Sequence, residues 1–240
     1  MNPELAVLTV AALLTAGLSA VLGMAGGIVL LAVMLFFFEP LVAIPLHAVV
    51  QLASNGSRSL MQWRNVERSI VLPYALLLLP GAYAGVQLAQ ALPTNVMRIG
   101  IGVFILVATW RKVWLGRAVI GERFPRFLVV GGAAGFFGPL VGATGPLIAP
   151  FFLDQGLSRQ QIVGTKAACQ VLGHVSKVAL FGFVGFAFHE QLDVLVAMTL
   201  AVVLGTWMGT QVLEKVSEPL FLTLYRAALT LAALRLILAG

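Results

Sequence analysis

The chain contains two copies of one pattern. Gly23-Met24-Ala25-Gly26-Gly27 returns as Gly142-Ala143-Thr144-Gly145-Pro146, an offset of 119 positions. Without a gap, the same offset carries His47 onto Lys166, Gln51 onto Gln170, Asn55 onto His174, Ser57 onto Ser176 and Arg58 onto Lys177. Further on, Gly81-xxx-Gly85-x-Gln87 matches Gly205-xxx-Gly209-x-Gln211 at an offset of 124, and Arg98 corresponds to Arg226 at 128. A glycine break followed by a polar, basic helix face therefore occurs twice. A chain built this way folds as two related units, and in a membrane a duplicated broken segment points to a site shared between them.

Composition places the chain in a bilayer. It is 60% hydrophobic and 10% charged, against about 25% charged in a soluble domain, and its mean hydropathy is +1.01. Apolar runs long enough to span, about 20 residues each, cover roughly 4–38, 42–62, 70–91, 95–115, 126–153, 160–186, 192–213 and 219–239. No polar stretch is long enough for a separate soluble domain. Met1-Asn2-Pro3-Glu4 lacks the positive start of a signal peptide, so the first apolar run is expected to stay in the mature protein. The net charge of +6 does not indicate nucleic acid. Arg111, Lys112, Arg117, Arg123 and Arg126 gather in one loop, as the positive-inside rule expects of a cytoplasmic loop. The single cysteine, Cys169, has no metal-ligand spacing around it and reads as a small packing residue.

The fold class that follows is all-α: a polytopic membrane protein of two homologous halves, residues 1–115 and 126–240, joined by a basic cytoplasmic linker at 116–125. The first segment of each half is too long for one crossing. Residues 4–38 as one straight helix would run roughly 52 Å at 1.5 Å per residue, against a hydrocarbon core of about 30 Å. A glycine-broken helical hairpin explains both the length and the break, since non-helical backbone at membrane depth is tolerated where protein buries it or water reaches it. Each half is then a hairpin plus three spanning helices, an odd number of crossings, so the halves are inverted repeats with both termini outside. The loops at 63–69, 111–126, 154–159 and 214–218 carry Arg or Lys and fall inside, while 187–193, with His189, Glu190 and Asp193, falls outside. Eight spanning helices in two parallel halves is the alternative. Small residues four apart at 81/85 and 205/209 predict close helix crossings.

The interior chemistry is basic. All nine carboxylates lie near segment ends or in loops, whereas His47, Arg58, Lys166, His174 and Lys177 fall inside apolar segments. Ionisable groups there cost roughly 2.5–3.5 kcal/mol on insertion scales and mark a pathway or site. Lys166, Gln170 and His174 follow at i, i+4 and Lys177 at i+3, so they share one helix face; His47, Gln51, Asn55 and Arg58 do the same in the first half. Arg58 and Lys177 lie further along, where snorkelling to an interface competes with a site role. For His47 and His174 a hydrogen-bonded packing role competes with proton handling. Basic groups without acidic partners suit a small anion. The breaks add a second anion-binding element: Gly26-Gly27 would open a helix to about 38, and Thr144, Gly145 and Pro146 one to about 153, each offering free N–H groups and a positive dipole end.

At Gly23-Met24-Ala25-Gly26-Gly27, Gly142-Ala143-Thr144-Gly145-Pro146 and Gly164-Thr165-Lys166-Ala167-Ala168 the chain resembles the TauE/SafE family of sulfite and organosulfonate exporters. The resemblance runs over nearly the whole length and implies a small permease for sulfur-containing anions such as sulfite or sulfoacetate. The first copy departs from it where Pro45 and His47 stand opposite Gly164 and Lys166. The expected function is a secondary transporter in the cell membrane, with a midplane site formed by His47, Gln51, Asn55, Gly26, Gly27, Thr144, Gly145, Lys166, Gln170 and His174. No Walker motif is present, so a gradient must drive it; a proton is the candidate coupling ion. No cofactor, no metal and no nucleic-acid partner is expected, and oligomeric assembly is left open. A passive anion channel, or a transporter of another small organic anion, is the alternative. A membrane enzyme would need interior carboxylates that are missing.

Overall fold

The computed structural model describes residues 3–22, 26–110, 122–153, 155–212 and 218–238. The linker to residue 121, Gly23-Met24-Ala25, Asp154 and Lys215 lie outside them. Every long element among the described residues is an α-helix: α1 (Pro3–Leu22), α2 (Gly26–Met34), α3 (Pro40–Met61), α4 (Arg68–Ala91), α5 (Thr94–Trp110), α6 (Arg123–Val141), α7 (Gly145–Ile148), α8 (Pro150–Leu153), α9 (Arg159–Phe183), α10 (Leu192–Val212) and α11 (Glu218–Leu238). The glycine motif ends one helix and begins the next in both halves, and three longer helices follow each time.

Local chemistry sets the helix starts. Pro40 sits in the first turn of α3, where its missing N–H costs nothing. Ser158 and Gln161 form a reciprocal capping box at α9. Glu67 caps α4 by accepting from the Ser69 amide; the Ser69 hydroxyl, also bonded to it, holds the carboxyl below the usual carboxylate range. The two short hairpin arms differ. α2 runs to Met34 and is tightened by turns through Phe38. The expected single helix from Gly145 to 153 is instead two short helices, because Pro150 has no N–H to continue the ladder.

Among the described residues four helices, Pro3–Ala20, Arg68–Ala91, Arg123–Val141 and Phe188–Gly209, are long and apolar enough to cross a membrane. Helices α3 and α9 have 22 and 25 residues, long enough for about 33 Å or more, but each carries a polar stripe. That stripe is turned inward: α3 and α9 pack on each other, with α4 also against α9 and α10 also against α3. Outside them α4 pairs with α6, α1 with α10 and α5 with α11. Every pair joins one half to the other. Leu72, Leu76 and Leu79 of α4 and Leu200 and Leu204 of α10 remain exposed, the outer surface expected of helices facing lipid tails.

Glycine makes two matched close crossings. A Cβ at Gly81 would run into the Gly132 carbonyl, and one at Gly85 into that of Phe136. A Cβ at Gly205 would run into the Leu13 carbonyl, and one at Gly209 into that of Gly17. The partners are themselves equivalents: 132 lies 119 after 13, and 136 lies 119 after 17. The α4–α6 and α10–α1 crossings thus use matched residues on both sides. Lipid tails give no hydrophobic drive to helix pairing, so such close backbone approach carries the association.

Candidate functional site

Helices α3 and α9 run antiparallel through the centre. Near one end the His47 and His174 rings meet edge to face, with centroids 6.1 Å apart. Near the other, Gln62, just past α3, lies against Gly164 at the start of α9. The polar stripes therefore face each other along their length, and a cavity of about 20 Å³ lies between them. A water needs roughly 10–15 Å³ by this measure, so a sulfur oxyanion, with four or more heavy atoms, requires the site to widen.

The cavity collects nine of the ten residues expected from sequence. α3 supplies His47, Gln51 and Asn55, and α9 supplies Lys166, Gln170 and His174. Gly27 opens one hairpin arm against it, and Thr144 and Gly145 the other. Gly26 is the exception. A Cβ there would strike the Thr15 carbonyl and the Ser19 hydroxyl, so Gly26 serves the packing of α2 on α1 rather than the cavity wall. Its neighbour Gly27 lies next to the Gln51 amide, and Gly145 next to the Gln170 amide, each about 3.2 Å from where a Cβ would stand.

Ser19, Ile28, Arg58, Ala143 and Pro146 complete the lining. Arg58 and Lys177 do not snorkel: they are 7% and 3% exposed. Arg58 donates to the Ser54 carbonyl and hydroxyl and to the Ser19 carbonyl in the last turn of α1. Lys177 donates to the Gly142 carbonyl at 2.6 Å. Gly142 closes α6 with φ +73°, a conformation suited to glycine at a helix C-terminus. Each of these cations thus sits at the negative end of a broken helix, where carbonyls lack partners. Ser19 had no sequence signal beyond a hydroxyl in an apolar run.

Charge is unbalanced. Lys166 is 3% exposed and feels Arg58 across the cavity. Among the described residues no carboxylate is buried, and no cluster of His, Cys, Asp or Glu could hold a metal ion. The His47 Nε2 lies 2.8 Å from the Gly27 carbonyl. The Nδ1 atoms of His47 and His174 and the Asn55 Oδ1 are buried without a hydrogen-bond partner.

A family model described as Sulfite exporter TauE/SafE matches residues 8–236. The chain belongs to the TauE/SafE family. As a TauE/SafE member it is a multi-pass helical membrane protein and a transporter of the sulfite-exporter type. No curated protein and no solved structure matches it. In this TauE/SafE chain the glycine motifs frame the cavity from two sides, and the duplicated polar helices supply its walls.

Proposed function

We propose that the chain is a secondary transporter of small anions, sulfite or an organosulfonate such as sulfoacetate, working by alternating access at the cavity between α3 and α9. One observation carries this reading. Two basic side chains, Arg58 and Lys166, line a buried cavity with amide side chains and histidines, and no described carboxylate is buried with them. Burying basic groups costs several kcal/mol each, and a bound oxyanion offsets part of that cost while accepting the surrounding N–H groups.

In this reading residues 1–115 and 126–240 are inverted repeats joined at 116–125, in the cell membrane with both termini outside. The matched crossings at Gly81/Gly85 and Gly205/Gly209, and the antiparallel pairing of the equivalent helices α3 and α9, support inversion. Rocking of one hairpin arm at a time about Gly27 or Gly145 would open the cavity to one side. A proton is the candidate coupling ion, and His47 is the cavity group that would face it. The test is flux into liposomes across a panel of anions, with and without a pH gradient. Saturable sulfite or sulfonate flux, lost in Lys166→Met, is the expected result. Flux that does not saturate would make the protein a channel.

A further inference from the structure

The hydrogen-bonding roles around His47 bear on the chemical form of the anion. The Gly27 carbonyl can only accept, so the His47 Nε2 must carry the hydrogen of their 2.8 Å bond. In the neutral ring the Nδ1 is then a lone-pair acceptor. It is buried and unpartnered, and His47 is a wall of the cavity. An unmet buried acceptor is unfavourable, and it calls for a donor from whatever enters. Elsewhere on the wall Arg58 and Lys166 only donate and the Gln51 and Gln170 amides supply further N–H groups, while the Asn55 Oδ1 and the His174 Nδ1 are also buried without a partner.

The ligand that satisfies both demands is an anion with several bare oxygens and one O–H. We infer that the cavity takes a singly protonated oxyanion, hydrogensulfite rather than the sulfite dianion or a fully ionised sulfonate, and that its hydrogen is donated to His47 Nδ1. No bond is made or broken; the proton travels on the anion. This rests on the reading that the cavity is the anion site, and it makes proton coupling a property of the cargo. The charged and titratable groups around His47 are Arg58 on its own helix and Lys166, His174 and Lys177 on α9. α2 presents the Gly27 carbonyl. The described carboxylate of α10, Asp193, is exposed. Arg98 of α5 lines a separate surface cavity.

The experiment compares two probes, sulfite under anaerobic conditions and methanesulfonate, by calorimetry on the full chain in detergent. Methanesulfonate has no proton to lose across the range. Sulfite affinity is expected to fall about tenfold per pH unit above its second ionisation, as the singly protonated form disappears, while methanesulfonate binds weakly and evenly. In His47→Phe, sulfite at acidic pH should lose about tenfold while methanesulfonate changes little, the mark of one lost hydrogen bond. If both probes weaken together as pH rises, the titrating proton belongs to the protein and the inference fails, with the anion site intact. If Lys166→Met leaves both affinities unchanged, the cavity is not the anion site and the underlying reading fails. The wild-type comparison decides the matter even where His47→Phe folds poorly.

Discussion

The two copies of the repeat agree in backbone and disagree in chemistry. Where the chain needs close approach, they match: Gly81 and Gly205 face equivalent carbonyls, and Arg58 and Lys177 each donate to carbonyls at the end of the preceding broken helix. Where side chains face the cavity, they diverge. His47 stands for Lys166 and Asn55 for His174; only Gln51 and Gln170 are the same. The hairpin arms diverge too, α2 being continuous and its counterpart split at Pro150. Packing tolerates little change, because a single Cβ at those glycines collides with backbone. A cavity wall has no such restriction, so one copy can present the Lys166 amine where the other presents the His47 imidazole.

That contrast can be broken at several points. The largest effect is expected at Lys166. Lys166→Met should reduce anion affinity by about 30-fold or more, as for truncation of one partner of a buried charge pair at about 2–5 kcal/mol, with thermal unfolding little changed; Lys166→Arg should keep part of the binding. His47→Met should cost less, and an equal loss would erase the chemical difference between the copies. Next come the crossings. Gly81→Leu and Gly205→Leu should each destabilise by about 1–3 kcal/mol through overpacking, read as matched losses in Tm; a large loss in only one would break the structural equivalence.

Gly26 and Gly145 occupy equivalent positions with different surroundings. Gly145→Val pushes on the movable Gln170 amide and should weaken anion binding about tenfold, roughly 1.4 kcal/mol, with expression near normal. Gly26→Val pushes on the Thr15 backbone and should lower stability and expression first. The smallest expected effect is at Lys177, where Lys177→Met removes the bond to the Gly142 carbonyl and should cost about 1 kcal/mol of stability. A topology reporter at the C-terminus and in the loop at 184–191 sharpens the comparison differently: external signals at both places are expected, and cytoplasmic ones would make the halves parallel.

Much of this was legible in sequence because membrane helices obey simple periodicities. The i, i+4 spacing of His47, Gln51 and Asn55 fixed their common face, and the 119-residue offset matched it to that of Lys166, Gln170 and His174. Gly81 and Gly85 announced a close crossing through their spacing alone. Other features depend on tertiary placement. Nothing in the sequence distinguishes Gly26, which packs on α1, from Gly27, one residue on and in the cavity wall. Arg58 could be read as snorkelling because one of its partners, the Ser19 carbonyl, comes from 39 residues away. Pro150 was visible, but the hydrogen bond it removes mattered only once the arm was known to be short.

The central claim is that the anion sits between α3 and α9, within reach of Lys166 and both glycine breaks. A structure of the protein with sulfite bound tests it most directly. The account predicts anion density enclosed by Gln51, Gln170, Lys166 and His47, in a cavity wider than the present 20 Å³. Density at another place, with these side chains unmoved and the cavity still closed, would contradict it.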